Sequence, residues 1–235
     1  MNAMQYPSQK EDLDQRDLSL THEAALSFLV DRAKTLAANT ARRIAIGLAG
    51  GPGVGKSTLA SQMVETLNAD NPGSAAFVPM DGFHMRHAKL EALGTVKDKG
   101  APHTFEGAEF VVFLKHLKSA DRAVSGPGYS RRIEDVVDDA FTVAPEAKVL
   151  VTEGNYLLLG DPPWEAVKPL FDLAVFIDVP REMVRNRLMK RHAEEGLFSE
   201  ERNREHVNRV DLPNYDLIAR SKPRADLVIN LVTEH

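Results

Sequence analysis

The chain has 235 residues, 43% hydrophobic and 27% charged, with a formal net charge of -5. That length accommodates one large α/β domain without asking for a second, and the acidic balance gives no electrostatic reason to expect nucleic-acid or anionic-membrane binding. There is no cysteine, which excludes disulfides, thiolate-held zinc and cysteine nucleophiles and fits a reducing compartment.

The opening MNAMQYPSQKEDLDQRD has no apolar core flanked by positive charge, and nowhere do about 18 apolar residues run together. A cytoplasmic protein is expected, with residues 1–20 as a flexible tail and 21–235 as a single domain. From Thr21 to Ala37, a capping-type threonine precedes apolar residues at helical spacing (Leu26, Phe28, Leu29, Ala33, Leu36), which predicts an amphipathic helix. RRIAIGLAG then reads as a buried parallel strand and KSTLASQMVETLN as the helix that follows.

Further strands are predicted at Ser74 to Met80, Ala147 to Gly154, Leu173 to Val179 and Ala225 to Val232. Helices are predicted near Thr104 to Lys118, Arg181 to Ala193 and Ser199 to Arg220, the last interrupted near Pro213. This alternation predicts a three-layer α/β/α fold around a mostly parallel sheet of about five strands. The stretch AVSGPGYSRRIEDVVDDAFTVAPEA departs from it, with glycine, proline and paired charges that suggest a substrate-side excursion of short strands or turns.

Between the first of these strands and its helix lies GLAGGPGVGKSTLA, in which Gly50 and Gly55-Lys56-Ser57 satisfy the G-x-x-x-x-G-K-[ST] spacing of a phosphate-binding loop. The glycines let successive backbone N–H groups point inward and the helix start adds partial positive charge. Lys56 would reach the β- and γ-phosphates, and the Ser57 hydroxyl would ligate Mg²⁺. Gly51, Pro52, Gly53, Val54, Gly55, Lys56, Ser57 and Thr58 are therefore the expected nucleotide-binding residues. No Asn-Lys-x-Asp segment for guanine and no Ser-Gly-Gly transporter signature occurs.

Asp81, in FVPMDGFHM, directly follows the second strand, where an open α/β sheet presents side chains to its crevice. Glu153, in VLVTEGNYLLL, ends a later strand. Together with KGAPHTFEGAEF, RNRLMKRHAEEG and SKPRADLVI, these parts stand in an order that resembles the phosphoribulokinase, uridine kinase and pantothenate kinase family of P-loop kinases. The resemblance extends from about Arg43 to Leu231 and is nearest to a nucleoside-kinase-like or fructose-kinase-like branch with DGFH, KGAP and EGNYLLL.

The resemblance implies roles for particular residues. Asp81 would be the general base toward an acceptor hydroxyl, and Glu153 would join Ser57 in the Mg²⁺ shell. Arg185, Arg187 and Arg191 would belong to a lid spanning about 181–205, with Arg187 and Arg191 stabilising the transferring phosphate. Pro223 and Arg224 would flank the adenine. DGFH and APHTFE stand where uridine kinases carry Asp-Asp-Phe-Tyr and His-Pro-Asp-Ala-Phe-Asp, which departs from a uridine pocket.

Plainer readings stand beside these. Asp81 also suits a helix N-cap before GFHMRHAKLEAL, and Glu153 a solvated strand end. Arg181, Arg185, Arg187, Lys190 and Arg191 also suit a solvated helix face paired with Glu182, Glu194 and Glu195. His84, His87 and His103 lack further ligands at zinc-like spacing, so His84 and His103, with Tyr129 and Arg131, are expected to bind the acceptor. Phe83, Phe105 and Phe110 read as core or pocket wall. The expectation is a kinase using ATP and Mg²⁺ on an alcohol of a small-molecule substrate, without nucleic-acid or membrane partners and with a homodimer left open. A nucleotide-binding regulator or slow ATPase acting through a protein partner is the alternative.

Overall fold

The computed structural model describes residues 16–195 and 199–232. In chain order its elements are β1 (Asp17–Leu20), α1 (His22–Ala38), β2 (Ile44–Ala49), α2 (Lys56–Asp70), β3 (Ala75–Pro79), α3 (His87–Leu93), α4 (Gly107–Ser119), β4 (Val124–Ser130) and β5 (Asp135–Val143). There follow β6 (Val149–Gly154), β7 (Leu173–Asp178), α5 (Arg181–Glu195), α6 (Glu200–His206), α7 (Leu212–Ala219) and β8 (Leu227–Leu231). Six strands form one sheet in the order β1-β8-β7-β2-β6-β3, every neighbouring pair parallel. The remaining two form an antiparallel hairpin, β4–β5, whose register shifts between Gly126 and Gly128.

The apolar runs become central strands because both faces of the sheet are covered. Every residue of β2 and of β6 is buried. Alternate side chains divide between two cores. Ile44, Ile46, Leu48, Val149, Val151, Val175 and Ile177 pack with Leu29 of α1, Leu59 and Met63 of α2, and Val184 and Leu188 of α5. Ala45, Ala49, Leu150, Ala174 and Phe176 face the other way, onto Phe110, Leu114 and Leu117 of α4 and onto Leu157 and Trp164. Each buried branched side chain stabilises the fold by about 1.5–3 kcal/mol. Helix α1 begins where the threonine predicts, with Thr21 Oγ1 accepting from Ala24 N at 3.2 Å.

Two expectations are corrected. The sheet has six strands rather than about five, because the segment read as tail ends in a strand: Asp17–Leu20 pairs residue by residue with Val228–Leu231 at the sheet edge. Leu18 is buried there, Arg16 donates to the carbonyl oxygens of Pro223 and Ala225, and Asn230 Nδ2 donates to Leu18 O at 3.3 Å. Residues 1–15 lie outside the described residues. The helix expected from Thr104 starts at Gly107 instead, because Pro102–Thr104 forms a 3-10 turn and Phe105 bridges to His84. The interruption near Pro213 is a π-turn, Val207–Asp211, between α6 and α7. Among the described residues no helix is long and apolar enough to cross a membrane.

Candidate active site

Because β2, β6 and β3 are neighbours in the sheet, their carboxyl ends bring three separate sequence segments together. β2 feeds the glycine-rich loop; β6 ends on Glu153-Gly154; β3 leads into a 3-10 turn, Met80–Phe83, that carries Asp81. In register, Glu153 stands level with Leu48 on one side and Pro79 on the other.

The loop has the backbone that phosphate binding requires. Gly55, the N-cap of α2, adopts φ 98° and ψ 15°, a left-handed conformation, and no side chain caps the helix. The N-terminal amide groups of α2 are thus left to a ligand, which the helix dipole favours if it is an anion. Lys56 is buried, and its Nζ donates to Gly51 O at 2.8 Å and to Asn155 Oδ1 at 2.9 Å. Burial pulls its pKa below the usual lysine value, opposed by the Glu153 and Asp81 carboxylates.

A cavity of about 780 Å³ opens over this loop. Pro52, Gly53, Gly55, Lys56, Ser57 and Thr58 form its floor, Asp81 and Glu153 stand beside them, and His84, Tyr129 and Arg131 line the far side. Arg187 and Arg191 close it from α5. A second cavity of about 610 Å³, between β3 and the hairpin, shares Ser57, Asp81, Tyr129, Arg131 and Glu153 with the first.

Burial, reinforced by nearby Asp81, raises the Glu153 carboxyl to about 7 against the opposing effects of Lys56, the Ser57 hydroxyl and Arg131. The Tyr129 phenol is pushed up to about 12, by burial first and then by Glu134. His84 stacks between Phe105 (3.9 Å between ring centroids) and Tyr129 (4.5 Å), and its Nδ1–H donates to Asp81 O at 2.7 Å. Desolvation lowers its pKa, so the neutral ring presents Nε2 as an acceptor.

The predicted residues separate clearly. Asp81 lies inside the 3-10 turn, and α3 has Arg86 rather than Asp81 at its N-cap. Glu153 is buried, not solvated. In α5 the two readings divide the cations. Arg187 and Arg191, four residues apart, face the cavity, whereas Arg181 pairs with Asp216 (2.9 Å), Arg185 with Glu182 (3.7 Å) and Lys190 with Glu194 (3.8 Å). Gly51 contributes a carbonyl to Lys56, and Val54 is core.

Arg185, Pro223, Arg224 and His103 are not on the wall of the 780 Å³ cavity. His103 is exposed and lies 3.6 Å from Asp98, and His84, His87 and His103 form no ligand cluster. Pro223 and Arg224 sit in a 3-10 turn before β8, held by Arg16. Phe83 and Phe110 are core, and Phe105 is both core and pocket wall.

Sequence reasoning missed Asn155, Lys99 and Asn214. Asn155 orients Lys56, and its signal was its place directly after Glu153-Gly154. The Gly100 carbonyl accepts from Tyr156 Oη and, at 3.1 Å, from Asn214 Nδ2, which ties the KGAP turn to the segment after β6 and to α7. Lys99 lies 5.5 Å from the Tyr129 ring centroid.

A parallel sheet with a phosphate-binding loop after β2, carboxylates at the two adjacent strand ends and arginines overhead defines a P-loop small-molecule kinase. The chain belongs to the Phosphoribulokinase / Uridine kinase family, whose model matches residues 45–235. It is 34% identical over 196 residues to a Schizosaccharomyces pombe protein described as a "putative uridine kinase", covering 80% of this chain and 83% of that protein. It is 30% identical over 217 residues to a pantothenate kinase of Rhodopseudomonas palustris, covering 81% and 68% respectively. Among solved structures, a "putative fructose transport system kinase" from Silicibacter sp. TM1040 superposes with a TM-score of 0.78 at 31% identity, covering 89% of this chain and 98% of that one. The protein is accordingly a phosphotransferase acting on a small molecule.

Proposed function

We propose that this kinase moves the γ-phosphoryl group of ATP, with Mg²⁺, onto an alcohol of a small metabolite. The observation that carries the reading is the convergence of Asp81 and Glu153 with Lys56 and Ser57 on one cavity that extends to His84, Tyr129 and Arg131. The residues fit the donor. An uncapped helix start led by left-handed Gly55 suits phosphate oxygens, and the oxygens of Ser57 and Glu153 suit a hard dication. When bound, ATP with Mg²⁺ supplies an activated phosphoryl group whose negative charge is partly neutralised.

The chain's own residues then have separable tasks. Lys56, held by Gly51 O and Asn155, positions its ammonium group at the loop. Asp81 orients the acceptor hydroxyl and takes its proton. Ser57 and Glu153 hold the cation. Arg187 and Arg191 place positive charge above the loop, and Arg187 Nη1 reaches Val54 O at 3.4 Å. His84 Nε2 accepts a hydrogen bond from the acceptor, while Tyr129 and Arg131 complete its pocket.

The test is ADP release from ATP and Mg²⁺ across sugars, sugar phosphates, nucleosides and pantothenate. One acceptor should raise the rate steeply, and Asp81→Asn should lower turnover with it about 10²–10⁴-fold while leaving nucleotide affinity nearly unchanged. Full transfer by Asp81→Asn would remove the base assignment. A slow rate indifferent both to every acceptor and to the variant would favour the regulator or ATPase reading instead.

A further inference from the structure

We propose that His192, His206 and Asp211 form a binding site for a zinc-type transition-metal dication, separate from the Mg²⁺ position beside Ser57. The three come from different elements: His192 from α5, His206 from the end of α6 and Asp211 from the π-turn. One ligand atom from each lies within 4.8 Å of the other two. The His192 Nε2 to Asp211 Oδ2 distance is 2.9 Å. Ligand bonds of about 2.0–2.1 Å around a tetrahedral ion place donor atoms about 3.3–3.4 Å apart, so the 2.9 Å His192–Asp211 pair would open by about half an ångström to take the ion, while the three atoms already lie within 4.8 Å of one another.

The positions of the three groups support the same assignment. The His192 and Asp211 side chains are only 14% and 12% exposed. The exposed His206 ring lies 5.3 Å from the His192 ring in an edge-to-face contact. The π-turn between His206 and Asp211 contributes by adding a residue. Against an uninterrupted α-helix this turns Asp211 by about 100° around the axis, and from there its Oδ2 meets His192 Nε2.

Two imidazoles and a carboxylate select zinc, cobalt or nickel over magnesium, whose preferred donors are all oxygen. Three protein ligands leave a fourth position, and all three residues line the 780 Å³ cavity, so a water or phosphate oxygen from that side completes the set. Arg191 and Arg202 on the same wall oppose a cation. The site is therefore expected to be weaker than thiolate zinc sites, in the micromolar range. A bound ion would fasten α5, which carries Arg187 and Arg191, to α6 and the π-turn.

The experiment uses the full chain without nucleotide, titrated with Co²⁺ and, separately, with Zn²⁺ against a chromophoric chelator. One ion per chain is expected, with the visible absorption of four-coordinate Co²⁺ and no displacement by excess Mg²⁺. His206→Ala, at an exposed position that should not disturb folding, and Asp211→Asn should each weaken binding by more than about tenfold, since even losing an outer-shell partner costs about that much. His87→Ala, at an exposed histidine 3.4 Å from Glu91, should bind like the parent. Absence of a retained ion, unchanged affinity in His206→Ala, or an equal loss in His87→Ala would overturn the site.

Discussion

On the side of the cleft proposed for the donor, the candidate groups stand at the ends of β2 and β6, strands buried along their whole length. The acceptor side instead rests largely on the β4–β5 hairpin, where Gly126, Val136 and Val143 are the buried residues. The donor groups are fixed by packing on both faces of the sheet, and a displaced atom there must disturb a core. Those of the hairpin are held instead by loops and turns around it: Pro127 against Gly82, Tyr129 on His84, Arg86 with Val136 O and Asp138, and Lys99 with Glu134. On the function proposed above, the phosphate chemistry would fall to the sheet half and the choice of acceptor to the hairpin half.

The largest expected effect breaks the donor half alone. Lys56→Met keeps the stem of a buried side chain and removes the ammonium group held at 2.8 Å from Gly51 O. Turnover should fall about 10²–10³-fold, as when one preorganised electrostatic group is lost. The Michaelis constant for the acceptor should move little, because the hairpin is untouched. Steady-state kinetics with each substrate varied in turn separates the two, and an acceptor constant that rises as steeply as turnover falls would show that the halves are not independent.

Gly82→Ala reverses that test by striking the seam. A Cβ at Gly82 would lie 1.9 Å from Pro127 O, a backbone atom that cannot swing aside as a flexible side chain would. The hairpin must move away from the turn that carries Asp81 and leads into His84, at a cost of about 2–3 kcal/mol in urea unfolding. The acceptor constant should rise, with nucleotide affinity held within about twofold. Equal losses for both ligands would contradict the division.

The same division explains what was legible in the sequence. The phosphate-binding loop is contiguous, so strand, glycines and helix announce one another, and Asp81 and Glu153 follow once each strand end is located. The Gly100 carbonyl is different: it is approached by Tyr156 and Asn214, at positions far from it along the chain, and neither local pattern signals the meeting. Four-residue β1 is too short for periodicity to be visible, and its pairing with β8 depends on a chain segment more than two hundred positions away. In α5, charge spacing showed a cationic helix. It did not show that Arg185 faces Glu182 while Arg187 faces the loop, since that depends on Val184 and Leu188 being the buried stripe.

Glu153 offers the smallest effect and the finest test of the sheet half, because there stability and function pull in opposite directions. Its carboxyl lies near 7 in the fold and at an ordinary 4.5 in the free side chain, raised by burial and by Asp81. Between those two values the folded state holds more protons than the unfolded one, so this group makes nucleotide-free stability fall as pH rises from about 4.5 to 7. Glu153→Gln removes that dependence. Its advantage over the parent should be near zero at pH 4.5 and grow to on the order of 1–2 kcal/mol by pH 8, measured by thermal unfolding without ligands. The same variant should bind Mg²⁺-nucleotide more weakly, because the neutral amide cannot supply the anionic oxygen. A gain that is equal at every pH would mean that the amide merely packs better than the acid and that the carboxyl carries no proton at neutrality. A gain confined to high pH, with weakened cation binding, would mean that the fold keeps a buried carboxylate at a stability cost that its ligand offsets.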